Sequence, residues 1–167
     1  ASLPLACPSI TLSCSPTIGG IEGELPVYQA VGGAAWPVFV EEVLSDLAGL
    51  IRSLQFGATP FSLLERLDGW SRSPDLVALA ERDVRLIHAD LTGDNLFLLE
   101  GRPKVIDWQY PRIGPASLDV ANLLLSLGID PRPHTPPAAV EMLYFVRLGW
   151  LTACAARWFS PGVATYE

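Results

Sequence analysis

The sequence predicts an α+β fold in a single domain, and two patterns carry this prediction. Apolar residues recur at helical spacing over most of the chain, whereas residues 84–108 hold short runs of β-forming residues separated by turn residues. The length of 167 residues is sufficient for one domain with its own hydrophobic core. We therefore expect a mostly helical domain that carries a small β-hairpin.

The first 40 residues are rich in Pro, Gly, Ser and Thr, with short β-type runs at residues 25–28 and 36–40. This composition is typical of the end of a small sheet. Helical periodicity begins at residue 43 and continues to residue 56, where Gly57 is a typical helix stop. The first helix is therefore expected over residues 43–56.

Four further helices are predicted from apolar periodicity and from capping residues. They cover residues 61–67, 74–82, 118–127 and about 140–159. The last is the longest apolar stretch, but Glu141, Arg147 and Arg157 interrupt it, and a membrane span needs about 20 nearly uncharged residues. We therefore predict a helix buried within the protein and no contact with a membrane.

Three β-type runs lie between these helices, at residues 84–87, 96–99 and 105–108. Residues 100–103 form a turn between the last two runs, which predicts a hairpin. In the register that this turn implies, Leu96 faces Asp107 and Asn95 faces Trp108. Asn95 and Asp107 are then neighbours at the open end of the hairpin, where an amide oxygen and a carboxylate are suited to one hard cation such as Mg²⁺.

Asp90 lies on the loop that enters the same hairpin, five residues before Asn95. Two carboxylates and an amide at strand ends are the groups that phosphoryl transfer needs, because this reaction depends on positioning, charge neutralisation and a carboxylate that orients the attacking hydroxyl. Each residue alone has an ordinary explanation as a turn, cap or strand-end residue. Their joint spacing favours the functional interpretation.

Three short motifs follow one another in this part of the chain. They are H-A-D-L-T-G-D-N at residues 88–95, I-D-W at residues 106–108 and G-P-A-S-L-D-V-A at residues 114–121. They resemble the H-G-D-x-x-x-x-N catalytic loop, the I-D-[FW] segment and the G-[DP]-x-x-x-D-[LV]-A of the aminoglycoside phosphotransferase and choline kinase superfamily. The resemblance implies a protein-kinase-like fold, of which this chain holds mostly the helical C-terminal lobe with a short catalytic hairpin.

The resemblance also implies a role for each matching residue. Asp90 would be the catalytic base of an ATP-dependent phosphotransferase, while Asn95 and Asp107 would hold Mg²⁺ against the phosphates of ATP. His88 would support the catalytic loop. Asp119 would be a buried acceptor for backbone groups of that loop.

Two positions of the catalytic loop depart from the family pattern. Ala89 replaces the usual Gly, a change that the loop tolerates unless this position needs a positive φ. Residues 92–94 replace the common His-Pro-Gly, and we expect Asp94 to be a solvated or capping residue.

The front of the chain departs more strongly from the family, whose members carry an N-terminal lobe with a strand lysine. No lysine precedes Lys104 here. We therefore expect residues 1–40 to be a remnant of that lobe and of the hinge beside the adenine of ATP, with Glu41 and Glu42 at the hinge. Residues 41–167 would be the helical catalytic lobe, truncated at its end, and the missing N-terminal lobe of the same polypeptide would be its partner.

Composition limits the remaining function classes. A net charge of −7 with one lysine argues against nucleic-acid binding and suits a small-molecule acceptor that is cationic. The three cysteines form neither a metal motif nor a disulfide pattern, so a cytoplasmic protein is expected. A second hypothesis is a non-catalytic kinase-like module that binds a nucleotide or a partner, because the lysine-bearing lobe is missing.

The five tryptophans raise a further alternative, an aromatic cage for a quaternary ammonium group such as that of choline. Three of them, Trp70, Trp150 and Trp158, lie on apolar helical stretches. We therefore predict core packing for these three.

Overall fold

The computed structural model describes residues 29–158, which contain five helices and five short strands. The helices are α1 (Ala35–Arg52), α2 (Ser62–Ser71), α3 (Pro74–Ala80), α4 (Ser117–Ser126) and α5 (Pro137–Arg157). The strands are β1 (Gln29–Ala30), β2 (Val84–Ile87), β3 (Leu96–Leu99), β4 (Arg102–Val105) and β5 (Arg112–Pro115). The mixed helix and strand content agrees with the predicted α+β class. Residues 1–28 of the predicted remnant of an N-terminal lobe, including the β-type run at residues 25–28, lie outside the described residues.

The hydrophobic core lies mainly between α1 and α5, with α2, α3 and α4 packed around them. Aromatic rings fill its centre. The Phe145 ring lies 5.4 Å from the Trp36 ring and 5.6 Å from the Trp70 ring, and Phe39 completes the group at 6.3 Å, all measured between centroids. Such tilted and edge-on pairs contribute about 0.5–1.5 kcal/mol each beyond the burial of their area.

The two long helices approach closely at Gly149 of α5. A Cβ atom at this position would lie 2.7 Å from Phe39 Cζ and 2.7 Å from Val43 Cγ2. The absence of a side chain therefore lets α5 pack directly on the aromatic face of α1.

The first helix is longer at its start and shorter at its end than the sequence predicts. Residues 36–40, predicted as a β-type run, are helical. Pro37 is tolerated because it lies in the first turn of the helix, and successive turns bury Trp36 and Val40 in the core. The helix ends at Arg52, ahead of Gly57, and Leu54 in the following turns has a left-handed φ of 61°.

This correction changes the predicted hinge. Glu41 and Glu42 lie in the middle of α1, so the residues predicted at the hinge are helical. The proposed domain boundary between residues 40 and 41 falls inside the same continuous helix. Residues 35–40 therefore belong with the helical part of the protein.

A three-stranded sheet borders the helices in the order β1-β5-β2. Its central strand β5 pairs in parallel with β1 and antiparallel with β2. The sequence analysis missed β5, because Gly114 and Pro115 are residues that usually end strands. The backbone at Gly114 lies close to Val31, since a Cβ atom added to Gly114 would lie 2.8 Å from Cγ2 of Val31.

The last helix, α5, is the longest of the described helices. By length and composition alone it could cross a membrane, a test that core helices of globular proteins also pass. It packs against α1, α3 and α4, with Met142, Leu143 and Phe145 fully or almost fully buried. The predicted burial of this helix within the fold is confirmed.

Candidate active site

The loop that follows β2 is attached to α4 through the carboxylate of Asp119. Its Oδ2 accepts a hydrogen bond from the backbone N–H of His88 at 2.7 Å, and its Oδ1 accepts one from Ala89 at 2.8 Å. Burial raises the pKa of Asp119, while the two backbone N–H groups oppose this rise by stabilising the charged form. This is the backbone contact that the family resemblance implies for Asp119.

The buried imidazole of His88 connects the same loop to the segment that carries Asp107. Its Nδ1 lies 3.3 Å from the backbone nitrogen of Asp90, and its Nε2 lies 2.8 Å from the carbonyl oxygen of Ile106. Because Nδ1 must accept the first hydrogen bond, Nε2 carries the proton and donates the second. Trp108 packs against the ring at a centroid distance of 4.8 Å. His88 therefore contacts both the loop and the Asp107 segment, and the supporting role that the family resemblance implies for it stays a prediction.

Asn95 joins the other two predicted site residues. Its side-chain Nδ2 donates to the carbonyl oxygen of Asp90 at 2.9 Å, and its own carbonyl accepts the N–H of Ile106 at 3.0 Å. The structure thus links Asp90, Asn95 and the residue next to Asp107 through consecutive hydrogen bonds. A further bond, from the N–H of Gly93 to Ser126 Oγ at 2.9 Å, attaches the loop to α4.

The register of the hairpin differs by two residues from the predicted one. Leu96 pairs with Val105 and Leu99 with Arg102, so that the turn contains Glu100 and Gly101 alone. Both turn residues have a positive φ, 52° and 72°, as a two-residue type I′ turn requires.

Pro103 explains why the sequence prediction was wrong. We expected the proline in the turn, because it cannot donate a hydrogen bond within a ladder. In the observed register Pro103 faces Leu98 at a position without hydrogen bonds, so its missing N–H costs nothing. Asn95 consequently lies opposite Ile106, and Asp107 follows one residue later in the loop after β4.

Two site residues have left-handed backbone conformations. The φ angle is 65° at Ala89 and 65° at Asp107. For a residue with a Cβ atom this conformation costs about 1–2 kcal/mol, and such local strain is concentrated at functional sites. The condition under which the Gly-to-Ala replacement at position 89 would be unfavourable is therefore met.

The donor atoms near the end of the hairpin fit a magnesium ion. Asp107 is exposed, and the amide oxygen of Asn95 accepts no hydrogen bond within residues 29–158, because the amide nitrogen makes the contact to Asp90. Across the same residues no group of three or more His, Cys, Asp or Glu side chains could hold a metal. One carboxylate and one amide suit Mg²⁺, which keeps several waters and binds substrate phosphates.

A pocket of about 180 Å³ opens beside the Asp90 carboxylate. Its lining residues are Ala89, Asp90, Tyr110, Arg112, Val146, Arg147 and Trp150. The two arginines and Tyr110 of this pocket were not predicted from the sequence. A signal was present, since Arg147 and Trp150 are three residues apart on an apolar helix and therefore share one face.

The three tryptophans assigned to the core behave differently. Trp70 packs on Phe145, as predicted, and its Nε1 donates to Glu141 at 2.8 Å. Trp150 is only half-buried and lines the pocket. Trp158 is 63% exposed, so core packing was the wrong prediction for it, because it lies in the last turn at the edge of the fold.

The predicted hinge residues lie apart from this loop. Glu42 lines a second pocket, of about 290 Å³, together with Gln29, Asp46 and Arg157, and none of Asp90, Asn95 and Asp107 lines it. The Glu42 carboxylate accepts a hydrogen bond from Gln29 Nε2 at 2.7 Å. A role of Glu41 and Glu42 toward ATP stays a prediction.

Comparisons with known proteins agree with the motif analysis. No curated protein and no solved structure matches the chain. The model of one family, described as the phosphotransferase enzyme family, matches residues 25–150. The match covers well over half of the chain and contains the anchored loop, the hairpin and the Asp119 contact. The chain therefore belongs to the phosphotransferase enzyme family.

Proposed function

We propose that this chain is the catalytic part of an ATP- and Mg²⁺-dependent phosphotransferase that phosphorylates a hydroxyl group of a small molecule. One observation carries the proposal. Asp90 belongs both to the hydrogen-bonded loop that holds Asn95 next to the Asp107 segment and to the rim of a pocket suited to a small molecule. A reacting hydroxyl in this pocket would lie beside the carboxylate that must orient it.

Each site residue has a distinct task in this mechanism. Asn95 and Asp107 would hold Mg²⁺. The bound ion would neutralise the negative charge of the phosphoryl group that ATP supplies. Asp90, on the exposed side of the loop, would accept a hydrogen bond from the acceptor hydroxyl and take its proton as the new bond to phosphorus forms and the bond to the leaving ADP breaks. Asp119 and His88 would hold the loop rigid, since their hydrogen bonds fix the backbone on both sides of Ala89.

The exposed hairpin supports a kinase-like arrangement with a second lobe. Phe97, Leu98, Leu99 and Ile106 are all at least half exposed, and large apolar side chains on one hairpin usually meet another surface. We propose that the helical part seen here is the C-terminal lobe and that an N-terminal lobe of the same polypeptide covers the hairpin. A cytoplasmic location is part of the same proposal.

A second candidate is a kinase-like module that binds nucleotide without transferring phosphate. The presence of Ala89 at the position of the family's usual Gly, with a φ of 65°, favours it, because this residue strains the proposed catalytic loop. The two candidates differ in one measurable property. An enzyme releases ADP in the presence of an acceptor, whereas the binding module binds MgATP and forms no ADP.

The test is the substitution Asp90→Asn in the full-length protein. We expect at least about a hundredfold loss of acceptor-dependent ADP release with MgATP binding retained, because the amide cannot accept the proton. Asp94→Asn is the matched control, because Asp94 is an exposed aspartate of the same loop, and this variant should keep the parental rate. Equal rates in the Asp90 variant and the parent protein would contradict the assigned mechanism, and MgATP binding without any turnover would favour the second candidate.

A further inference from the structure

We propose that the pocket beside Asp90 takes an acceptor that carries an anionic group, a carboxylate or a phosphate, in addition to its reacting hydroxyl. This inference rests on the proposed phosphotransferase function and goes beyond it by assigning the charge of the substrate. It also reverses the expectation from the net charge of −7, which favours a cationic acceptor.

The charges that line the pocket are opposite to the charge of the chain as a whole. Two arginines, Arg112 and Arg147, line the pocket, and Asp90 is the one acidic residue that lines it. Local charges decide which ligand enters, because exposed charges further than about 8–10 Å away are screened by salt. The pocket is therefore locally cationic within an acidic protein.

Arg112 is held rigidly from behind the pocket. Its side chain is almost fully buried, its Nη1 donates to Gln29 Oε1 at 2.7 Å, and its Cζ lies 5.9 Å from the centroid of the Phe39 ring. Arginine keeps its charge even when buried, and a buried charge is screened less than an exposed one. The side chain of Arg112 is therefore held in a fixed position at the pocket wall that it lines.

Arg147 is oriented without being neutralised. Its Nη2 donates to Oδ1 of Asn122, a buried residue on α4, and its Cζ lies 5.9 Å from the centroid of the Tyr144 ring. An amide holds the guanidinium in place but adds no negative charge. Within residues 29–158, no carboxylate lies within salt-bridge distance of Arg147. A bound carboxylate or phosphate would supply the counter-charge, with the paired hydrogen bonds that guanidinium groups form to such anions.

The aromatic residues of the pocket favour the same class of ligand over a quaternary ammonium ion. The rings of Tyr110 and Trp150 pack on each other with centroids 4.9 Å apart, forming one continuous wall. A cation on this wall would lie in a pocket that already holds two guanidinium groups, whose repulsion opposes the attraction of the rings. The carbon skeleton of a hydroxy acid or a sugar phosphate can pack on the wall while its anionic group meets the arginines.

The experiment compares acceptors of one skeleton and different charge, using the full-length protein with MgATP. One set is glucuronate, glucose and 6-amino-6-deoxyglucose, and a second is glycerate, glycerol and 3-amino-1,2-propanediol. Glucose 6-phosphate and glycerol 3-phosphate distinguish a phosphate from a carboxylate. We expect the anionic members to have at least about tenfold higher kcat/KM for acceptor-dependent ADP release than the neutral and cationic members.

Charge reversal at Arg147 tests whether the pocket causes this preference. Arg147→Glu should lower kcat/KM for the anionic acceptors by about a hundredfold and for the neutral acceptors by much less, whereas Arg147→Lys should keep part of the preference. Arg132→Glu is the matched control, because Arg132 is a surface arginine paired with Asp130 away from the pocket, and it should leave the preference unchanged. Thermal unfolding of each variant verifies that the fold is intact.

The possible failures are distinguishable. Equal or better use of the amines, an equal effect of Arg147→Glu on anionic and neutral acceptors, or ATP hydrolysis that no member of either set stimulates would each overturn the anionic assignment while the phosphotransferase proposal stands. A full-length protein that releases no ADP from MgATP under any of these conditions would overturn the proposed function and this inference together.

Discussion

The helical core and the catalytic hairpin are built on different physical principles. Phe145 of α5 has no exposed surface, whereas Leu98 of β3 is 78% exposed, although both are large apolar residues. The core is stabilised by burial of side chains between α1 and α5. The hairpin, which carries the proposed metal ligands at its open end, has most of its apolar side chains in contact with solvent.

Hydrogen bonds replace packing where the hairpin joins the rest of the protein. The Asn95 side chain binds Asp90, the His88 ring binds Ile106, and the Asp119 carboxylate binds the loop between them. Each such bond contributes only about 0.5–1.5 kcal/mol, or more to a charged partner, but each fixes direction. Packing of the helices therefore provides most of the stability, whereas a few polar contacts fix the geometry of the site.

The largest effect should come from truncating a core residue. Phe145→Ala should lower the free energy of unfolding by about 3–5 kcal/mol, because it leaves a cavity among the rings of Trp36, Phe39 and Trp70. In the 167-residue chain, Leu98→Ala should change it by less than about 0.5 kcal/mol, because this side chain is 78% exposed there. Denaturant unfolding of both variants is the measurement. Similar losses of unfolding free energy in the two variants would mean that the hairpin is packed in solution.

A second test concerns the contact of the two long helices. Gly149→Ala should destabilise the protein by about 1–3 kcal/mol, because the new Cβ atom overlaps Phe39 and Val43 in a packed core. Gly49 of α1 has open space around it, so Gly49→Ala should instead raise the free energy of unfolding by up to about 1 kcal/mol through helix propensity. A gain in both variants would show that α1 and α5 are less tightly packed than the structure indicates.

The strained loop offers a smaller effect of opposite sign. Ala89→Gly should stabilise the protein by about 0.5–1 kcal/mol, because glycine adopts a φ of 65° without a steric penalty. Ala48→Gly, inside α1, should destabilise it by about 1 kcal/mol. Thermal unfolding midpoints report both changes. A loss of stability in the Ala89 variant would mean that the left-handed conformation is not populated in solution.

The smallest effect is a dependence of stability on pH. Because burial raises the pKa of Asp119 in the folded state, the folded protein binds its proton more tightly than the unfolded chain does. Its contribution to stability is present below the unfolded pKa of about 3.9 and is lost as pH rises toward the raised value. The difference in unfolding free energy between the parent and Asp119→Asn should therefore fall with rising pH.

Asp130 provides a control of opposite sign for this pH measurement. Hydrogen bonds from Arg132 lower the pKa of Asp130, so its contribution is present above the unfolded pKa and lost as pH falls. The difference between the parent and Asp130→Asn should rise with pH. Parallel pH profiles for the two variants would contradict the assignment of Asp119 as a buried carboxylate.

Much of the fold could be predicted because local signals agreed with the final structure. The periods of α2 to α5 and of β2 and β3 are visible in the sequence to within a few residues, and the loop motifs identified Asp90, Asn95, Asp107, His88 and Asp119 as one group. The prediction was wrong where a residue's local preference was overruled by its surroundings. Residues 36–40 have β-forming side chains but lie in a helix that buries them, and Pro103 lies in a strand at a position that needs no donor.

By itself the sequence determined the family and the order of the loop motifs, since motif order and spacing do not depend on how distant segments meet. Only the tertiary structure decided the hairpin register, the strained φ at Ala89 and the charge of the pocket beside Asp90. The physical reason is that Arg112 follows the hairpin and Arg147 belongs to α5, so their shared pocket exists only once the helices pack. A net charge is a sum over residues, whereas a ligand meets the few charges that folding brings together.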